Sequence, residues 1–553
     1  MKSLFFKCIC CMLLAAAPAA AQFGERVEVY LISINATVFD KSGNQISGLT
    51  KDDFELYEDG KPQKITHFLE VKNRIPVQIF TLGQTPKAEK VTEPEKLPPA
   101  TQEALKERYI LYLDNLNVHP LQRNQVIEKM KDFVRSRLTG EAEAMLATYQ
   151  RSFKVPIPFT KNPDELIGAL DKAKELSGEA MSRLQTRMDI IDQIEDSNDL
   201  NQALGYVNGF AAEIQNETVL TLRMLQDFIL SLSGVPGKKS LIYISSGLPE
   251  SAAVELYRYL EQKYPDSDAM MYHQKYDMAG LYKAVVNSAN SAGISLFMVD
   301  VTGLRSLAGQ GMAEGKVQSY EPDFLLESHN MTDTLATLSE ETGGTAVINT
   351  NDFSKGFRKI STALDNYYFV GYQRGRAMED RLHKIEIKVK ARKAYEVHFK
   401  RSFLEKSSYS QASDSLIAKM LLPVEENPYG ISVEFVQPHP LEGGAFSLPI
   451  IIKVPFNRIT LVPQGDKQVG ELRLGFLSKD ANGDRSEIVW KTHTFNIPNE
   501  AWKELQSKEF QYKAELAIQP GPSLVGVAVI NPADGQQSFK IERVVIDTQG
   551  AKK

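Results

Sequence analysis

The chain has 553 residues, 42% of them hydrophobic and 24% charged, which is a globular composition and excludes a wholly disordered chain. At about 150 residues per domain, this length predicts three or four domains. The net charge of −6 makes the chain a poor general binder of nucleic acid, so no nucleic-acid partner is expected.

The first 21 residues have the parts of a secretory signal peptide. Lys2 and Lys7 form a basic start, an apolar run follows, and the small residues 19–21 form a cleavage site. All three cysteines lie in this leader, so the mature chain is expected to contain no disulfide and no cysteine site. A lipoprotein leader would need a cysteine where Gln22 stands. We therefore expect a secreted or periplasmic protein without a transmembrane segment.

The residues after the leader predict a small β unit followed by a linker. Residues 22–80 contain short runs of β-branched and aromatic residues, and turn residues separate these runs. Residues 81–107 combine several prolines with lysine and glutamate, which is typical of a linker.

Residues 108–375 change to strands that alternate with helices. Tyr109–Asp114 is an apolar run that ends in a carboxylate, as is typical of a buried parallel strand. This alternation predicts a three-layer, Rossmann-like α/β core with a mostly parallel sheet. Residues 170–215 form a charge-rich helical insertion, which could cap the crevice at the strand ends, contact a partner or simply face solvent. The expected strands of this region lie at 109–114, 144–149, 153–159, 241–244, 294–300, 345–348 and 367–372.

The last part of the chain is predicted to be rich in β-structure. Residues 376–403 alternate apolar and charged side chains, which predicts an antiparallel hairpin with one solvated face. We expect its strands to pair with the segment 25–72, so that the α/β core is inserted into one β domain. Residues 404–424 are rich in serine and predict a second linker. Residues 425–553 carry short strands between turn signals, which predicts an antiparallel β-sandwich.

Five segments stand out when they are taken in order along the chain. They are 40–63 with Glu58-Asp59-Gly60, then Pro236-Gly237-Lys238-Lys239, Glu341-Thr342-Gly343-Gly344, 368–372 and His383-Lys384-Ile385. Together they resemble the bacterial "VWFA-related" secreted proteins, which contain a von Willebrand factor A (VWA)-like domain, and the resemblance covers most of residues 25–403. It implies a VWA-like core that binds proteins or cell surfaces without catalysis, through the strand-end crevice.

Many VWA domains hold Mg²⁺ or another divalent cation at a D-x-S-x-S motif after the first strand, and this chain departs from that motif. Asp114 is present, but Leu116 and Val118 replace the two serines and offer no side-chain oxygen. One interpretation is a degenerate cation site built from Asp114 with Asn117 and Ser246. The other is that Asp114 and Asn117 cap the helix that begins near Pro120.

Two further functions remain open at this point. The C-terminal sandwich could bind glycans if Trp490 and Trp502 stack on sugars, although tryptophan in a sandwich usually belongs to the core. A hydrolase would use the strand-end crevice, with Ser245 or Ser246 as a nucleophile, but no G-x-S-x-G motif surrounds these serines. The eight histidines are scattered singly, so a zinc cluster would require distant histidines or carboxylates to gather in space.

Overall fold

The structure is a computed structural model. It describes residues 30–41, 44–81, 106–116, 118–304, 324–374, 380–390, 395–421, 427–481 and 483–546. The expected signal peptide, most of the expected linker at 81–107, and Asn117 lie outside these residues.

The helices and strands follow one another in three parts of the chain. The first part contains β1 (Tyr30–Phe39), β2 (Phe54–Glu58), β3 (Lys61–Gln63), β4 (His67–Lys72) and β5 (Ile75–Thr81). The middle part contains β6 (Glu107–Asp114), α1 (Pro120–Arg137), β7 (Glu143–Gln150), β8 (Ser152–Thr160), α2 (Pro163–Ala173), α3 (Ala180–Asp196), α4 (Leu200–Ser231), β9 (Lys238–Ser245), α5 (Val254–Lys263), α6 (Ala279–Ser291), β10 (Ile294–Asp300), α7 (Phe324–Glu341), β11 (Ala346–Val347) and α8 (Phe353–Asp365). The last part contains β12 (Tyr367–Arg374), β13 (Arg381–Val389), β14 (Glu396–Phe399), β15 (Ser402–Glu405), α9 (Ser408–Leu421), β16 (Ser432–Phe435), β17 (His439–Pro440), β18 (Phe446–Pro455), β19 (Val462–Gln464), β20 (Lys467–Lys479), β21 (Val489–Pro498), α10 (Asn499–Leu505), β22 (Glu509–Ile518), β23 (Gly521–Ile530) and β24 (Gln537–Ile546).

The middle part forms an α/β core around a mostly parallel sheet. The strand order is β11-β10-β9-β6-β7-β8, and β8 alone among these strands runs antiparallel to its neighbour. Counted from β6, this is the doubly wound order 3-2-1-4-5-6. Helices α4 to α7 pack on one face and α1, α2 and α8 on the other, which confirms the expected three layers. None of the described helices is long and apolar enough to span a bilayer.

The first and last parts join in a two-sheet sandwich that encloses a separate apolar core. Strand β12 pairs antiparallel with β1 and β4, so its expected place in the parallel sheet is wrong. Its aromatic side chains are buried against these antiparallel strands, and the apolar run alone did not distinguish the two sheets. Strand β13 pairs with β2, and β14 pairs with β1. Both strands of the 376–403 segment thus pair with strands of the 25–72 segment, as expected, and the α/β core is inserted between them in the chain. The expected hairpin is wrong, because β13 and β14 lie in different sheets.

The C-terminal part forms a second sandwich, with sheets built around β18 and β20 facing each other across a shared apolar core. The serine-rich segment expected to be a linker at 404–424 contains helix α9 instead. Leu416 and Met420 pack against this sandwich, and Ala418 packs against the α/β core. This apolar contact on two sides favours a helix despite the serine content.

Two glycines allow α9 to pack closely between the α/β core and the C-terminal sandwich. A side chain at Gly234 would overlap the backbone of Asp414 and Ser415, and one at Gly526 would press on Leu416 and Met420. We expect Gly234→Ala to displace α9 from the core and lower the free energy of unfolding by about 1 to 2 kcal/mol. Limited proteolysis within 408–421 should become faster, and unchanged cleavage there would contradict this packing. Gly209→Ala is the control, because its Cβ would meet no atom.

Candidate functional site

Asp114 lies at the carboxyl edge of the core sheet, where both of its carboxylate oxygens accept hydrogen bonds. The hydroxyl of Tyr243 on β9 donates to Oδ2 at 2.5 Å, and the Leu116 N–H donates to Oδ1 at 3.3 Å. The N-cap of α1 is His119, whose Nδ1 accepts the Leu121 N–H at 3.3 Å. His119, not Asp114, therefore caps α1, whereas Asp114 holds the loop after β6 through Leu116 and links β6 to β9 through Tyr243.

The buried environment of Asp114 disfavours the ionised form of its carboxyl group. Burial raises the pKa of Asp114 to about 6, even though the Tyr243 hydrogen bond and the charge of Arg183 act in the opposite direction. The carboxylate is thus mostly ionised at neutral pH, and it depends on Tyr243 for its strongest contact. A group of this kind at a strand end is a candidate functional residue, although structural networks produce the same shift.

The helical insertion closes over Asp114. The N–H of Glu179 donates to the carbonyl of Leu116 at 3.1 Å, which places the start of α3 on the loop after β6. One turn later Arg183 forms an ion pair with Glu217 of α4. The buried guanidinium of Arg123 donates to Asn115 Oδ1 at 2.5 Å and to the Leu176 carbonyl at 2.7 Å. Of the roles expected for residues 170–215, capping of the crevice is therefore the one that these contacts support.

The described residues around Asp114 do not fit a Mg²⁺ ion. Leu116 and Val118 are buried and apolar, and the oxygens of Asp114 already accept hydrogen bonds. Ser246 follows β9 at the same edge and is half-buried, and its carbonyl accepts the Thr302 hydroxyl at 3.3 Å. Mg²⁺ requires a shell of hard oxygens, and among the described residues one carboxylate whose two oxygens already accept hydrogen bonds does not supply it. Asn117, the third expected ligand, lies outside the described residues.

The residues considered for hydrolysis and for glycan binding also make contacts within the protein. The Ser245 hydroxyl accepts the Gly247 N–H at 3.2 Å and so stabilises a turn. The indole N–H of Trp490 donates to Ser413 Oγ of α9 at 3.1 Å. The ring of Trp502 packs edge-on against Phe456 at 6.0 Å in the sandwich core. Both tryptophans therefore make internal contacts.

A second cluster of titratable side chains lies in the N-terminal sandwich, and sequence reasoning missed it. Glu58, Asp59 and His383 bring one ligand atom each within 4.8 Å of one another. Glu405 and Arg374 complete the cluster. The only signal in the sequence was that Glu58-Asp59-Gly60 and His383-Lys384-Ile385 both belong to the resemblance described above. Their contact depends on the pairing of β2 with β13 across the whole α/β core.

The comparisons with known proteins found no matching family model and no matching curated protein. Among solved structures, an aerotolerance-related membrane protein from Bacteroides fragilis NCTC 9343 matches at 10% identity and a TM-score of 0.22, over 47% of this chain and 98% of that chain. The conserved hypothetical protein BatB from Bacteroides thetaiotaomicron matches at 13% identity and a TM-score of 0.20, over 46% and 98%. The PilB minor pilin from Streptococcus sanguinis matches at 11% identity and a TM-score of 0.27, over 61% and 88%. TM-scores this low carry no argument about function. The strand order and the geometry of the site are therefore the support for the function proposed below.

Proposed function

We propose that this chain is a non-catalytic protein-binding module with a VWA-like core, that it acts outside the cytoplasm, and that it binds its partner at the carboxyl edge of the core sheet. The doubly wound strand order supports the VWA-like assignment. The leader sequence supports export. The carboxylate of Asp114 is satisfied internally, which favours binding through apolar contacts over binding through a metal ion.

One observation carries the proposal: large apolar side chains are exposed on several segments at this edge. Leu121 is 69% exposed at the start of α1, Met181 is 60% exposed at the start of α3, and Leu304 is 58% exposed after β10. The side chain of Gln122 donates to the Thr302 carbonyl at 3.5 Å, which brings two of these segments together. Apolar side chains that are exposed close together mark protein-interaction sites.

Site-specific photo-crosslinking tests this proposal directly. A photoreactive amino acid is placed at Leu121, Met181 or Leu304 of the full chain, which is produced in its source cells. We expect the same partner protein to be crosslinked from all three positions. Val462 and Val545 in the C-terminal sandwich are the matched controls, because they are also exposed and apolar. Crosslinks that form only at the control positions would contradict the proposal.

The strength of binding provides a second measurement once the partner is identified. We expect Leu121→Glu and Leu304→Glu each to weaken binding at least about tenfold, which corresponds to about 1.4 kcal/mol. Asp114→Asn should leave binding within about twofold of the parent chain, because its side chain is buried and does not reach the surface. A loss of binding in Asp114→Asn alone would instead favour a cation-dependent site.

A further inference from the structure

The cluster around His383 draws its members from both sides of the inserted core. Glu58 and Asp59 lie at the turn after β2, before the core. His383 on β13 and Glu405 at the end of β15 come after the core, and so does Arg374 at the end of β12. The side chains of His383 and Glu405 are each 2% exposed, so their charges are shielded from solvent.

Each of the two carboxylates at the turn has one oxygen held and one turned toward His383. The Tyr372 hydroxyl donates to Glu58 Oε2 at 2.9 Å, and the Lys384 N–H donates to Asp59 Oδ1 at 2.9 Å. The remaining oxygens, Asp59 Oδ2 and Glu58 Oε1, lie 2.8 and 3.0 Å from His383 Nδ1. Three possible ligand atoms therefore converge on one point.

The far side of the imidazole offers partners to Nε2. His383 Nε2 lies 3.1 Å from Glu405 Oε2. Arg374 Nη1 lies 3.0 Å from the same Nε2 and forms ion pairs with Glu58 Oε1 at 2.9 Å and Glu405 Oε2 at 3.3 Å. In the tautomer that binds a metal ion through Nδ1, Nε2–H donates to Glu405 and the lone pair of Nδ1 faces two carboxylate oxygens. This carboxylate–histidine arrangement orients metal-binding imidazoles in general.

The cluster around His383 carries a net negative charge, which would favour a divalent cation. Three carboxylates face one guanidinium, so two negative charges remain when the imidazole is neutral. Glu405 Oε1 is buried without a hydrogen-bond partner among the described residues. Arg381 lies 3.5 Å from Asp59, but it is exposed and contributes little. Buried like charges at this spacing repel one another unless a cation lies between them.

We propose that Glu58, Asp59 and His383 bind one divalent transition-metal ion, for which Zn²⁺ is the best match. Zn²⁺ takes imidazole nitrogen together with carboxylate oxygen, whereas Mg²⁺ and Ca²⁺ prefer oxygen alone. The Asp59 side chain is 32% exposed, so the ion has a route of entry and a position for water. The bound ion links the end of β2 and the turn after it to the neighbouring strand β13.

Calorimetric titration of the full, chelator-treated chain with Zn²⁺ tests the proposal. We expect one ion per chain in the parent. Asp59→Asn should weaken binding more than about tenfold, and Glu405→Gln should do so about 10- to 100-fold by releasing the imidazole. Asn tolerates the left-handed backbone of Asp59, whose φ is 49°, so this variant should fold. Replacement by Co²⁺ should give a visible absorption band in the parent that is absent in Asp59→Asn.

Two controls distinguish this site from others. His398 on β14 lies 2.7 Å from Glu396 Oε1 but faces no second carboxylate among the described contacts, so His398→Gln should bind Zn²⁺ as the parent does. Asp114→Asn should also bind as the parent does, which separates this site from the strand-end edge. Absence of Zn²⁺ binding in the folded parent, or binding that both Asp59→Asn and Glu405→Gln retain, would overturn the proposal. His383 Nδ1 would then contact Asp59 Oδ2 and Glu58 Oε1 through a hydrogen bond and not through a metal ion.

Discussion

Gly344→Ala is expected to destabilise the α/β core by about 3 kcal/mol or more, because its methyl group would overlap backbone atoms of a central strand. A Cβ at Gly344 would meet the carbonyl group of Leu296 on β10. The neighbouring Thr342 hydroxyl accepts the Leu296 N–H at 3.0 Å, so the approach of the two segments is fixed by a buried hydrogen bond. Neither backbone segment can move away without breaking this contact.

The measurement is hydrogen exchange of peptides that cover β10, followed by mass spectrometry. This local readout is appropriate because both tryptophans lie in the C-terminal sandwich and do not report on the core. The matched control is Gly205→Ala in α4, where a Cβ would meet nothing and the position is exposed. This control should gain about 0.5 to 1 kcal/mol, because alanine is the better helix former. Equal protection in the two variants would contradict the steric argument.

Tyr243→Phe is expected to destabilise the core by about 2 to 3 kcal/mol near pH 8, because it removes the hydroxyl that donates to the buried Asp114 carboxylate. Tyr112→Phe is a close control. The two rings stack with their centroids 5.2 Å apart, and both are fully buried. The Tyr112 hydroxyl has no hydrogen-bond partner among the described residues. Its removal should therefore be neutral or should stabilise the core by up to about 1 kcal/mol.

The effect of Tyr243→Phe should depend on pH with a defined sign. The pKa of Asp114 rises from 3.8 to about 6 in the folded chain because of burial, so the folded state binds the proton more tightly than the unfolded state. The contribution of Asp114 to stability is thus greatest below its unfolded pKa and is lost as the pH rises through its folded pKa. Tyr243→Phe raises that folded pKa further, so its loss of stability should be larger near pH 8 than near pH 4 to 5.

Asp114→Asn provides the check on this assignment. It removes the titrating group, so the part of the pH dependence between about pH 4 and 6 that is assigned to Asp114 should disappear from the exchange of β6 and β9 peptides. An unchanged pH profile in Asp114→Asn would assign the titration to another buried carboxyl group. Glu255 is such a group, because burial raises its pKa to about 7.

The sequence predicts the α/β core and its insertion into the N-terminal β-structure, but not the sheet to which each flanking strand belongs. Buried strands such as Tyr109–Asp114 are continuous apolar runs, and their alternation with helices predicts a parallel sheet directly. Strand β12 has the same kind of apolar run but pairs with β1, because an apolar run carries no information about its partner. The serine-rich composition of 404–424 predicts a linker where the structure has helix α9, because the apolar positions of α9 are explained only by the two surfaces that they contact.

The candidate sites were predicted unevenly for a related reason. Asp114 was identified because it directly follows a recognisable strand. The partner that defines its role, Tyr243, reads as an ordinary core residue and carries no sequence signal of its own. The cluster of Glu58, Asp59 and His383 was missed because its members are far apart in sequence. The sequence predicts that the two segments pair but not the register of β2 against β13, and this register brings the three side chains together.

The pairing of β1 with β12 also has a consequence for the order of folding. Tyr30 pairs with Arg374, so the whole α/β core must be synthesised before the first strand can meet its partner. Contacts of such long sequence separation form late, since loop closure must occur before they stabilise the chain. The N-terminal strands are therefore made first and completed last, and until then their edges are open to pairing with other chains. Once the α/β core folds, it brings the two ends of the inserted segment together. The N-terminal strands can then pair, so the rate at which the core folds limits how long their edges stay unpaired.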